Sequence, residues 1–178
     1  MPTEAQEIRL GIVTFVRQSL GIGAYTIAAA TGARYPRLLG LRSAAERALG
    51  RNHLEDAASL AAELLSLAEQ FSADWYYGNA VYYGHLVLGE VALARGDKSG
   101  AATELLAAGR TRGSPQLNSF GPNMHLAKAL LEAGERASVL EYLQSCEAFW
   151  ALGHRRLQDW AELVRNGGIP DFGANLGY

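Results

Sequence analysis

The sequence predicts an all-α protein built from antiparallel helical hairpins, and three observations carry that prediction. From residue 37 onward, apolar residues recur at intervals of three and four, the spacing that stacks side chains on one helical face. Glycine followed by an acidic residue interrupts the pattern twice, at Gly96-Asp97 and Gly134-Glu135. A glycine there enters the left-handed region without a Cβ penalty and stops one helix, while the carboxylate of Asp97 suits the exposed amides of the next. Finally, Val139, Leu143, Cys146, Trp150, Gly153, Leu157, Trp160 and Val164 step by four and three without losing phase, which needs one helix or two nearly collinear ones and is read as one long C-terminal helix over residues 137–165 with Gly153 as a close-contact point.

Composition narrows the function. At 178 residues and 49% apolar content the chain can bury a core or hold three to four hairpins. Charged residues make up 19% with a net charge of −2, and phosphate binding needs a clustered excess of Lys and Arg, so nucleic acid is not an expected partner. The pairs Arg110 with Arg112 and Arg155-Arg156 read as solvated helix ends, where cations near a C-terminus are favourable. Cys146 is the single cysteine, which excludes an internal disulfide, and its place on the apolar seam reads as a buried, inert thiol. His53, His85, His125 and His154 lie in separate segments without HxxxH or HExxH spacing, so neither a metal nor another cofactor is expected.

In chain order, residues 1–37 read as an N-terminal helical segment and residues 38–178 as the hairpin domain. The apolar run LGIVTFVRQSLGIGAYTIAAATGA is split by Arg17 and Gln18 into pieces too short to span a membrane. A signal peptide over residues 1–33 is the alternative, opposed by Glu4 and Glu7. GIGAYT lacks the remaining residues of a phosphate loop and reads as a helix break. Residues 37–49 and 54–71 form a hairpin around Gly50 and Asn52, and residues 74–108 form the next around Gly96. The Gly/Pro/Ser/Asn-rich stretch 113–118 reads as a loop, followed by a helix over 122–133 that Pro122 starts and Gly134 stops. The tail PDFGANLGY repeats an earlier motif: Phe172-Gly173-Ala174-Asn175-Leu176 echoes Phe120-Gly121-Pro122-Asn123-Met124. Each phenylalanine is expected to plug a hydrophobic gap while Gly and Asn make the adjoining turn.

The stretch 74–108 resembles a tetratricopeptide repeat. Leu88-Gly89 stand at the family's Leu-Gly pair, Gly96-Asp97 at its turn, and Ala101 and Ala108 at its two small positions, whereas His85 and Leu105 replace its large aromatics. Asn52, Ala45 and Ala57 match Gly96, Gly89 and Ala101, and Leu126-Ala127 with Gly134-Glu135 match the third unit. The turns are 44 and 38 residues apart, against about 34 in the family pattern, so these are diverged repeats. The tail is similar to those of bacterial repeat proteins of unknown role. The resemblance implies a right-handed α-solenoid whose concave face holds a protein or peptide partner. Carrying the family's facing positions over gives Arg42, Ser43 and Glu46, then Tyr83, Leu86, Val87 and Glu90, then Met124, His125 and Lys128. The family's carboxylate clamp is not matched, because Glu46, Glu90 and Lys128 occupy its positions.

The expectation is therefore a non-enzymatic, cytoplasmic interaction scaffold with an apolar groove centred on Leu86, Val87 and Met124. The groove is either open or covered by the N-terminal segment or the tail. The aromatic cluster Trp75, Tyr76, Tyr77, Tyr82 and Tyr83 reads mainly as core. Two alternatives stand beside the scaffold. One is a homo-oligomer pairing through the outer face of the Trp150 to Trp160 helix; the other is a helical enzyme using a non-local pair such as Asp74 with His85 or Glu90 with His125.

Overall fold

The structure, a computed structural model, describes residues 34–177. The expected N-terminal helix, the signal-peptide alternative and the GIGAYT break thus fall outside the described residues, apart from the last four residues of the 1–37 segment. All regular secondary structure among the described residues is helical. The chain divides into two units, Met1–Ser72 and Ala73–Tyr178.

The described part of the first unit is one helical pair. Helix α1, Arg34–Gly50, packs against α2, Leu54–Ala68, which runs on into a 3-10 turn, Glu69–Phe71. The apolar stripe expected for α2 buries Ala57, Ala61, Leu64 and Ala68 against Leu38, Leu41 and Ala45 of α1. Arg37 and Glu63 form a salt bridge between the two helices.

The second unit contains α3 (Tyr77–Ala94), α4 (Lys98–Gly109), α5 (Pro115–Phe120), α6 (His125–Glu132), α7 (Arg136–Cys146) and α8 (His154–Arg165). Helix α3 packs on α4, α4 on α6 and α7, and α7 on α8. Close approach of α3 to its neighbours depends on Gly89, where an added Cβ would run into Leu126 and the side chain of Glu104. One core then collects Tyr82, Leu105, Leu117, Met124, Leu130, Tyr142, Trp150, Leu157 and Phe172 from successive elements.

The turns at Asn52, Gly96 and Gly134 share one geometry. All three residues have positive φ, at 60°, 82° and 95°. In each, the amide after the turn residue reaches the carbonyl five residues back: His53 to Ala48 at 2.9 Å, Asp97 to Ala92 at 2.9 Å, and Glu135 to Leu130 at 2.8 Å. These are Schellman caps, which satisfy carbonyls that a helix end otherwise leaves open. Asp97 adds the expected N-cap, its carboxylate accepting from Gly100 N–H at 2.8 Å.

Two elements differ from expectation. The stretch 113–118 is largely helix α5, because Ser114 accepts from Leu117 N–H at 3.0 Å and Pro115 takes the first turn, a strong local start signal. The long C-terminal helix is instead two helices, α7 and α8, separated by a 3-10 turn at Ala151–Gly153. After Cys146 the helix tightens, with Phe149 N–H bonding to Cys146 O at 3.2 Å, and stops. The break lets Phe149 and Trp150 both turn inward, and Gly153 makes room for the Trp150 ring. Every member of the four-and-three seam is still buried, because α8 folds back onto the core that α7 covers. The helix expected over 122–133 starts later, at His125, because Pro122 and Asn123 are held by the tail and by the core tyrosines.

Candidate functional site

The expected groove separates into core and rim. Tyr83, Leu86, Val87 and Met124 are all buried. Helix α3 is apolar on nearly all sides and buries most of its surface, leaving a half-exposed stripe of Tyr77, Val81, His85, Leu88 and Ala92. Met124 is further fixed by the tail, its N–H donating to Asn175 O at 2.8 Å. The polar members remain at the surface. His125 Nδ1 lies 3.7 Å from Glu90 Oε1, and Lys128 Nζ lies 4.0 Å from Glu132 Oε1. In the first unit Arg42 pairs with Glu46 one turn later at 2.8 Å. The structure thus brings Glu90 and His125 together, while His85 meets Glu104 at 2.7 Å rather than Asp74. In the aromatic cluster, Tyr76, Tyr82 and Tyr83 are core, and Trp75 is exposed.

Beneath the rim lies a buried polar node. The Tyr82 and Tyr142 hydroxyls are hydrogen-bonded to each other at 2.7 Å, one donating to the other, and lie 3.0 and 3.1 Å from Asn123 O, which accepts the remaining phenolic proton. Burial pushes both phenols well above their ordinary range. Cys146 sits beside them, and burial raises its thiol strongly too, so the unreactive protonated form dominates.

The two echoing motifs meet in space. Asn175, fully enclosed, donates from Nδ2 to Pro122 O at 2.8 Å and to Phe120 O at 3.2 Å. Their phenylalanines have different fates. Phe172 is buried edge-on to Trp160, with ring centroids 5.0 Å apart, whereas Phe120 is 60% exposed. Only Phe172 is the expected plug.

Where the motifs meet, a cleft of about 580 Å³ opens. The Trp150 ring is its floor, pressed between Gly121 and Gly153, and the Arg156 guanidinium lies 5.6 Å from the ring centroid. Phe120 and Leu152, the latter 83% exposed, form apolar jaws. Arg155, Arg156 and Asp159, from the first turns of α8, line one side. Arg156 is positioned by Asn175 Oδ1 at 3.4 Å. Among the described residues Arg155 and Asp159 take part in no ion pair, although they are one turn apart.

Sequence reasoning missed this site because Arg155 and Arg156 were placed inside one long helix and read as solvated. The break at Gly153 puts them at a helix start instead. The signal was Gly153 itself, a poor residue for a helix interior.

Such a cleft can hold an apolar side chain against indole and anionic groups against guanidinium. No group of three potential metal ligands occurs among the described residues, and none of their helices is long and apolar enough to cross a membrane. Compared with protein-family models, curated proteins and solved structures, the chain matches none.

Proposed function

We propose that this chain is a non-enzymatic interaction scaffold of diverged tetratricopeptide-like hairpins that holds a protein or peptide partner. The observation that carries the reading is the repeated Schellman turn at Asn52, Gly96 and Gly134, the three positions that the family register aligns. The same cap also closes α8 at Gly167, Gly168 N–H reaching Leu163 O at 2.9 Å, so the support lies in the shared register of the three turns rather than in the cap itself. None of the three His–Glu pairs among the described residues, His85–Glu104, His125–Glu90 and His154–Glu147, lines the cleft, which favours binding over acid–base chemistry.

The working surface in this reading has two parts. Glu90, His125 and Lys128 supply polar contacts, and the cleft beside Phe120 and Leu152 supplies an apolar anchor. Leu86 and Met124 belong to the frame, so charge at either would unfold the hairpins rather than block a partner.

The test is affinity capture with the intact protein, followed by titration of the purified partner against two variants, Glu90→Lys with Lys128→Glu, and Phe120→Asp with Leu152→Asp. Partner affinity that drops in either folded variant supports the scaffold. A monomer that captures nothing above background refutes it. A dimer in sedimentation that Leu152→Asp dissociates would favour self-association instead.

A further inference from the structure

We infer that the cleft at the start of α8 receives an acidic segment of a partner protein, with an apolar side chain seated between Phe120 and Leu152 and carboxylates facing Arg155 and Arg156. This inference rests on the scaffold reading and names the chemistry of its partner.

Two independent features converge on it. The first is exposed apolar surface. Phe120 and Leu152 are the two most exposed large apolar residues among the described ones, and both border the same cleft over the Trp150 ring. Aromatic floors flanked by exposed aliphatic and aromatic side chains are where binding energy concentrates. The second is charge. Arg155 and Arg156 outnumber Asp159, and among the described residues Arg155 has no carboxylate of its own.

Those arginines stand at the positive end of α8. Helix α8 carries His154, Arg155 and Arg156 in its first turn, no acidic residue there, and no side-chain cap at Gly153. Arginines at the positive end of a helix oppose its dipole, while the preceding 3-10 turn takes up the first amide of α8, His154 N–H bonding to Ala151 O. Helices α6 and α7 likewise begin on His125 and Arg136 with no acidic residue in the first turn, so what sets α8 apart is that its arginines line the cleft. Arg156 is already oriented, between the Trp150 ring and Asn175, so little ordering is needed when a carboxylate arrives. Arg155, exposed on the same side of the cleft, gives the acidic segment its second contact.

The probe is a short fluorescein-labelled peptide in which Glu and Asp alternate with Leu and Phe, read by anisotropy against the full chain. Control peptides carry Lys for the acids or Ser for the apolar residues. The acidic apolar peptide is expected to bind, with affinity falling about tenfold or more with Arg155→Glu, with Leu152→Ser, with either control peptide, and with added salt. Both substitutions are at exposed positions, and circular dichroism confirms that the variants fold. Arg155→Glu is further expected to shift preference toward the Lys peptide. Equal binding of the Lys and acidic peptides, no binding of either, or indifference to Arg155→Glu overturns the inference. So does binding only to phosphatidylserine vesicles that Arg155→Glu abolishes, since the anion would then be a lipid headgroup. If affinity capture yields a partner whose binding ignores Arg155→Glu, the cleft assignment fails while the scaffold reading survives.

Discussion

Replacing Asn175 by alanine tests how the tail is held. The side chain donates to Pro122 O at 2.8 Å and to Phe120 O at 3.2 Å, and its removal leaves the enclosed Pro122 carbonyl without that donor. A stranded buried acceptor costs about 1–3 kcal/mol and a part-exposed hydrogen bond about 0.5–1.5 kcal/mol, so the exchange should cost about 2–3 kcal/mol in all. With a urea slope of roughly 2 kcal/mol per M, the unfolding midpoint should fall by about 1–1.5 M. Tryptophan emission is the readout, because Trp150 and Trp160 are buried within reach of the tail. The companion variant Asp171→Ala removes only an exposed turn contact to Gly173 N–H and should cost under about 1 kcal/mol. If Asn175→Ala moves the midpoint no further than Asp171→Ala does, the two motifs are neighbours without being coupled, and the clamp reasoning is wrong.

Three further outcomes follow from the geometry. Gly121→Ala meets both a positive φ of 85° and the Trp150 ring, and should destabilise by more than about 2 kcal/mol; Gly96→Ala has a similar φ of 82° but open space, and should cost only about 1 kcal/mol, as paired urea titrations would reveal. Burial raises Tyr82 and Tyr142, so the native state keeps protons that the unfolded chain releases above roughly pH 10. Stability from these groups is therefore intact below that pH and falls as pH rises through it; an ultraviolet titration should show two phenols ionising only as the alkaline fold is lost. Cys146 should react with a thiol reagent only at the rate of unfolding, and a fast phase in native buffer would contradict its burial beside Tyr142.

The hairpin turns were legible because their chemistry is local. Only glycine or asparagine readily takes the left-handed conformation that a Schellman cap requires, so Asn52, Gly96 and Gly134 announced themselves. Of the break after Cys146 only Gly153 gave a sign, because a helix that folds back onto the same core keeps the same four-and-three stepping as a straight one. The burial of Leu86 and Val87 was legible in principle: between Tyr82 and Val91 only His85 and Glu90 are charged or ionisable apart from tyrosine, too few for an exposed helical face. Family positions pointed elsewhere. For the cleft, the echo of Phe120-Gly121 in Phe172-Gly173 was visible, but the hydrogen bonds that unite the motifs depend on three-dimensional closure, and periodicity does not encode it.

The clamp between Asn175 and Pro122 joins positions 53 residues apart. Closing so long a loop is costly until the intervening helices have shortened it, so this contact is expected to form late, after the rate-limiting step of folding. Interactions absent from that barrier act on the reverse journey alone. Strengthening the tail should leave the folding rate unchanged while lengthening the lifetime of the native state, so this short segment would set how long the unit resists a protease.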